Sequence, residues 1–78
     1  MPKTLFDLVT GDVARIVRIR GEGSRSIRQR LLDMGVTRGT TVRVERHAPL
    51  GDPVEVTLKG YYLALRMSEA KEIEVEDM

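Results

Sequence analysis

At 78 residues the chain has room for one small domain, near the length at which burial barely offsets chain entropy, and with no cysteine neither a disulfide framework nor a thiolate metal site can staple it. Thirteen basic and twelve acidic side chains nearly cancel, which argues against a bulk nucleic-acid binder. No apolar run approaches the roughly 20 residues of a membrane span, and the N-terminal M-P-K-T-L-F-D-L lacks the apolar core of a signal peptide, so the expectation is a soluble cytoplasmic protein.

Thr4 to Leu8 is short and apolar at Leu5, Phe6 and Leu8, suited to packing one edge of a core, and ends in the turn signal Val9-Thr10-Gly11-Asp12. Val13 to Arg20 starts in one alternation and slips: Ala14 and Ile16 fall on one face, Val17 and Ile19 on the other, which predicts a β-bulge or a strongly bent strand. Gly21-Glu22-Gly23 reads as a turn, and Ser24, or less favourably Ser26, as the N-cap of a helix running through Met34. Ile27, Leu31 and Met34 recur on one helical face, and Gly35 stops the helix because the residue just beyond a helix end needs φ > 0. Gly39 marks a second tight turn before the alternating strand Thr41 to His47.

His47 to Pro53 is a loop in which Gly51 permits a turn; Pro53 to Leu58 and Tyr61 to Arg66 are strands joined by a hairpin turn at Lys59 and Gly60. Ser68 to Lys71 is enough for one helical turn, and Ile73 and Val75 supply a last short strand. Five or six short strands with one helix predict a mainly β protein, a small closed barrel, formed by residues 1–78 as a single domain.

The charge is polarised: residues 1–39 carry a net +4 and residues 40–78 a net −3, and ten of the thirteen basic residues are Arg, suited to carboxylates and phosphates. His47 is the only histidine, and a metal site within one chain needs further N or S ligands or converging carboxylates, so it reads as a solvent-exposed strand-end residue. Glu69, Glu72, Glu74 and Glu76 straddle a turn and a strand and read as a solvated acidic face. There is no catalytic triad spacing and no phosphate loop, so neither an enzyme nor a cofactor is expected. On the helix, at about 100° per residue, Leu31 and Met34 lie within about 40° of Ile27, whereas Leu32 lies about 140° away, beyond Arg28 at about 100°. Leu32 is then either the edge of a wide core stripe or an apolar spot with a basic rim for a partner. Leu50, between Pro49 and Gly51 with Asp52 following, poses the same choice at a loop tip.

The run R-L-L-D-M-G-V-T-R-G-T-T-V-R-V from Arg30 to Val44, with A-P-L-G-D-P at Ala48 to Pro53 and L-A-L-R-M-S-E-A at Leu63 to Ala70, resembles the FeoA family across nearly the whole chain. That resemblance implies an SH3-like barrel in the cytoplasm, working with the FeoB-type membrane transporter for ferrous iron. It implies iron traffic rather than iron ligation, with the membrane touched only through the partner. The candidate partner residues are Arg28, Leu32, Pro49, Leu50 and Asp52, and the structural turns are Gly35, Gly39, Gly51 and Gly60. The rival readings are a nucleic-acid-binding small barrel using Arg15, Arg18, Arg20, Arg25, Arg28 and Arg30, and an FeoA-like module of a metal-dependent transcription regulator. Against the first stand one Phe, two Tyr and no Trp, too few for a stacking platform.

Overall fold

The computed structural model describes residues 3–20 and 25–78, so the turn at Gly21 to Gly23 and the Ser24 cap lie outside the described residues. Six strands are described, β1 (Lys3–Thr4), β2 (Val13–Ile19), β3 (Thr41–His47), β4 (Val54–Leu58), β5 (Tyr61–Leu65) and β6 (Ile73–Asp77), with helices α1 (Arg25–Asp33) and α2 (Met67–Ala70). They form one antiparallel sheet in the order β1-β6-β2-β3-β4-β5, so the last strand in sequence is inserted between the first two. The helix α2, which follows one edge strand, packs against the short 3-10 turn Leu5–Asp7, which follows the other. The two ends of the sheet are thereby brought over one core containing Leu5, Leu8, Ile16, Leu31, Val44, Val56, Leu65 and Ile73.

The strand alternations decide which side chains enter that core. In β4, Val54, Val56 and Leu58 are buried and the residues between them are half-buried. In β2 the slip in the pattern is a real irregularity: the register against β6 shifts between Ile16 and Arg18. The extra residue returns Ile19 to the core side with Ala14 and Ile16 and leaves Val17 half-buried beside it. A second shift, between Val44 and Arg46 in β3, has no sequence signature because the polar residues there suit either face. At Lys59 and Gly60 both φ values are positive, 51° and 81°, as a two-residue hairpin turn of the type that follows strand twist requires.

The end of α1 is built as its sequence demands. Val36 N–H donates to the Leu31 carbonyl at 2.9 Å and Gly35 N–H to the Leu32 carbonyl at 3.0 Å, the paired bonds that close a helix through a left-handed residue. Gly35 is that residue, at φ 85°, and the buried Leu31 and Val36 pack across the closure. Ser26 falls inside the helix, which removes it as an N-cap, and the last helical residue is Asp33 rather than Met34. Tyr61, on the edge strand β5, donates its hydroxyl to the Met34 carbonyl.

Gly35 and Gly39 share a positive φ but not their surroundings, which yields a test. A Cβ at Gly35 would lie 2.7 Å from the Tyr61 Oη, whereas one at Gly39 would meet nothing within 4 Å. Gly39→Ala should therefore cost about 1 kcal/mol from backbone strain alone, and Gly35→Ala about 1 kcal/mol more because the Tyr61 hydrogen bond must shift. In a Tyr61→Phe background the extra cost should vanish. Thermal melting of the set checks this; equal costs at the two glycines would refute the role of Tyr61.

Candidate functional site

The loop between β3 and β4 is held from three sides. Ala48 N–H donates to the Pro53 carbonyl at 2.9 Å, Gly51 N–H donates to the Ala48 carbonyl at 2.7 Å, and Asp52 Oδ1 accepts the Met67 N–H at 3.0 Å, tying the loop to the start of α2. Beneath it lies Phe6, whose ring stands edge-on to His47 at 5.8 Å between centroids and carries the Lys71 ammonium 5.1 Å from its centre. The ring is close enough to Gly51 that a Cβ there would sit 3.5 Å from it. On this braced base Leu50 projects outward, 98% exposed, with φ 70° and ψ 8°. A left-handed leucine costs about 1–2 kcal/mol relative to an ordinary conformation, and this one recovers none of it by burial. Pro49 and Asp52 flank it and are also exposed.

A second feature lies beside α1. A cleft of about 350 Å³ has Val17, Ile19 and Leu32 as its apolar lining and Arg18, Arg20, Arg28 and Arg38 around it. Leu32 is half-buried and packs partly on the core, so it belongs to the edge of the core stripe while one side faces the cleft. Arg28 Nη1 donates to the Ile19 carbonyl at 2.9 Å, which fixes that guanidinium against the end of β2. The structure thus separates the five candidate residues into two places: Pro49, Leu50 and Asp52 on the loop, Arg28 and Leu32 on the cleft. Phe6, Val17 and Arg38 were not singled out from sequence. The slip in β2 was the available signal for Val17, and no local pattern places Phe6 beneath a loop more than forty residues away.

Two sequence expectations are corrected. The acidic residues near the C-terminus do not all form a solvated face: Glu76 is exposed and Glu72 half-buried, but Glu69 is 1% and Glu74 8% exposed. Glu69 is satisfied from both sides, accepting the Arg66 N–H at 2.8 Å and an ion pair from Arg30, while Glu74 pairs with Arg20 at 2.7 Å. Glu76 pairs with Arg15 at 3.5 Å and Asp77 with Lys3 at 3.0 Å. The polarised charge is therefore largely consumed inside the molecule, and Arg15, Arg20 and Arg30 of the proposed nucleic-acid cluster are spent on it. Nor is His47 a free strand-end residue. It is half-buried against Phe6, and its Nε2–H donates to the Leu8 carbonyl at 2.7 Å. Among the described residues no three His, Cys, Asp or Glu side chains are grouped to hold a metal ion, and no helix is long and apolar enough to cross a membrane.

Comparison with known proteins places this architecture. The family model for the FeoA domain matches residues 3–77. The chain is 46% identical over 72 residues, 92% of its length, to an Fe(2+) transport protein A/Fe(2+) transporter FeoB fusion protein of Porphyromonas gingivalis, of which it spans 8%. Among solved structures it superposes with a TM-score of 0.89 on an FeoA-like protein from Clostridium acetobutylicum, 38% identical, covering 99% of this chain and 87% of that one. It also matches a zinc complex of Stenotrophomonas maltophilia FeoA, described as a prokaryotic SH3 domain protein, with a TM-score of 0.80, 30% identity and coverage of 95% and 89%.

The ion pair between Arg30 and Glu69 makes the folding role of these charges measurable. Arg30→Ala leaves a buried carboxylate with only a backbone N–H for company and should destabilise by about 1–3 kcal/mol, less than for a fully buried pair because Arg30 is half exposed. Thermal denaturation should show a loss of about 4–8 °C per kcal/mol. Glu69→Gln, which keeps an acceptor for the Arg66 N–H, should cost less; an unchanged melting temperature for Arg30→Ala would show the pair to be idle.

Proposed function

The chain belongs to the FeoA family, and we propose that it is a non-enzymatic accessory domain that associates with an FeoB-type ferrous iron transporter on its cytoplasmic side and supports iron uptake. Two observations support this reading. In the Porphyromonas gingivalis relative an FeoA sequence and an FeoB transporter share one polypeptide, an arrangement that keeps two cooperating modules at high effective concentration. The second and decisive one is the braced loop carrying Leu50, a large apolar side chain 98% exposed in a conformation that folding alone does not reward. Such a residue is suited to enter a pocket on another protein, where its exposed neighbours Pro49 and Asp52 would form a rim that excludes water but contributes little energy itself.

The association is tested with purified transporter and two substitutions at position 50. Leu50→Asp should weaken binding about ten- to a hundred-fold, the value of an apolar side chain of about 1.5–3 kcal/mol removed from water. Leu50→Asn should weaken it similarly while leaving the domain as stable as before or up to about 1 kcal/mol more stable, because asparagine enters the left-handed region readily. Both effects are read by calorimetric titration and thermal melting on the same samples. Undiminished binding by the folded variants would remove Leu50 from the contact.

A further inference from the structure

The cleft beside α1 has a chemistry distinct from that of the Leu50 loop. Its floor of Val17, Ile19 and Leu32 is apolar, and among its described lining residues there are four arginines and no carboxylate, one of the four, Arg20, being already paired with Glu74. Arg38 is exposed and makes no ion pair among the described residues. Arg28 spends an Nη1 hydrogen on the Ile19 carbonyl, which anchors its guanidinium at the cleft wall, and its remaining N–H groups have no partner among the described residues. An anchored guanidinium has already lost much of its rotamer freedom, so less is lost when it binds a carboxylate through its planar fork.

We propose that this cleft docks an acidic peptide segment of the transporter in which one apolar side chain lies between carboxylates, the apolar group resting on Val17, Ile19 and Leu32 and the carboxylates on Arg28 and Arg38. The charge complementarity selects an anion, and the floor selects which kind. A free inorganic anion would leave the apolar floor wet. A nucleotide or single-stranded nucleic acid would look for an aromatic face, and the lining contains none. A cleft of about 350 Å³ is at the small end of ligand pockets, sufficient for a side chain and its flanking backbone rather than a bulky ring system. The proposal rests on the transporter reading only for the source of the peptide; the preference for an acidic, apolar segment stands on the lining itself.

The test uses the intact protein and a fluorescein-labelled synthetic peptide with a single leucine between two pairs of glutamates, followed by fluorescence anisotropy. Saturable binding that weakens as salt rises is expected, reduced about tenfold by Arg38→Glu, whose side chain is exposed and whose loss leaves the fold intact by thermal melting. Val17→Thr, which keeps shape but puts a hydroxyl on the floor, should also weaken it, and Leu50→Asp should bind the peptide like the unaltered protein. The cleft assignment is overturned if the folded Arg38→Glu protein binds unchanged, if a lysine version of the peptide binds equally, or if inorganic phosphate displaces the peptide at equal concentration. Sedimentation showing that a second copy of the chain fills the cleft would overturn it too. A failed peptide test with transporter binding still sensitive to Leu50→Asp would sink the cleft alone; the converse would sink the loop contact alone.

Discussion

The insertion of β6 between β1 and β2 is the constraint on which the other features depend. Until Ile73–Asp77 reach the sheet, β1 has no partner and one edge of β2 is open. The acidic side chains on and before this strand meet the basic side chains of the N-terminal half as it docks: Glu74 with Arg20, Glu76 with Arg15, Asp77 with Lys3, and Glu69 with Arg30 on α1. Two of these pairs, Glu76 with Arg15 and Asp77 with Lys3, are exposed and add little net stability, so their value lies in register and in avoiding like-charge contact. Glu74 and Glu69 are buried, and Glu69 also caps the start of α2 while binding α1, so it couples two helices across the seam of the sheet.

That coupling explains what could and could not be seen in the sequence. Features set by local chemistry were legible: the stop at Gly35, the hairpin turn at Lys59 and Gly60, the alternation in β4, and the slip at Val17 all follow from conformational preferences of neighbouring residues. The fate of the charges was not, because a row of Glu residues near a terminus looks the same whether it faces water or a strand of arginines. The same limit applies to His47, which the sequence leaves at a strand end and the fold places against Phe6 with its Nε2–H on the Leu8 carbonyl. Leu32 shows an intermediate case: helical geometry put it off the main stripe, and it is indeed half-buried, but only the bulge in β2 brings Val17 and Ile19 alongside to make a cleft.

The loop with Leu50 is where folding and function part. The hydrogen bonds around it, Ala48 N–H to the Pro53 carbonyl, Gly51 N–H to the Ala48 carbonyl and Met67 N–H to the Asp52 carboxylate, hold Leu50 outward in a conformation that leucine disfavours. A flexible loop would relax that residue and lower the local cost. In the proposed contact, holding it instead would reduce the ordering entropy lost when a partner closes over it and so convert a little fold stability into affinity. Phe6, Lys71 and His47 are the underside of this arrangement, and in the proposed contact they would act through the rigidity of the loop.

The most direct measurement is a methyl-resolved NMR titration of leucine-labelled protein with an FeoB-type transporter reconstituted in nanodiscs. If the braced loop is the docking point, the Leu50 methyl signals change first and most, while those of the buried Leu5, Leu31 and Leu65 follow only with the general broadening of a large complex. A complex that forms while Leu50 stays as sharp and unshifted as in the free protein, or the lack of any complex, would contradict the assignment.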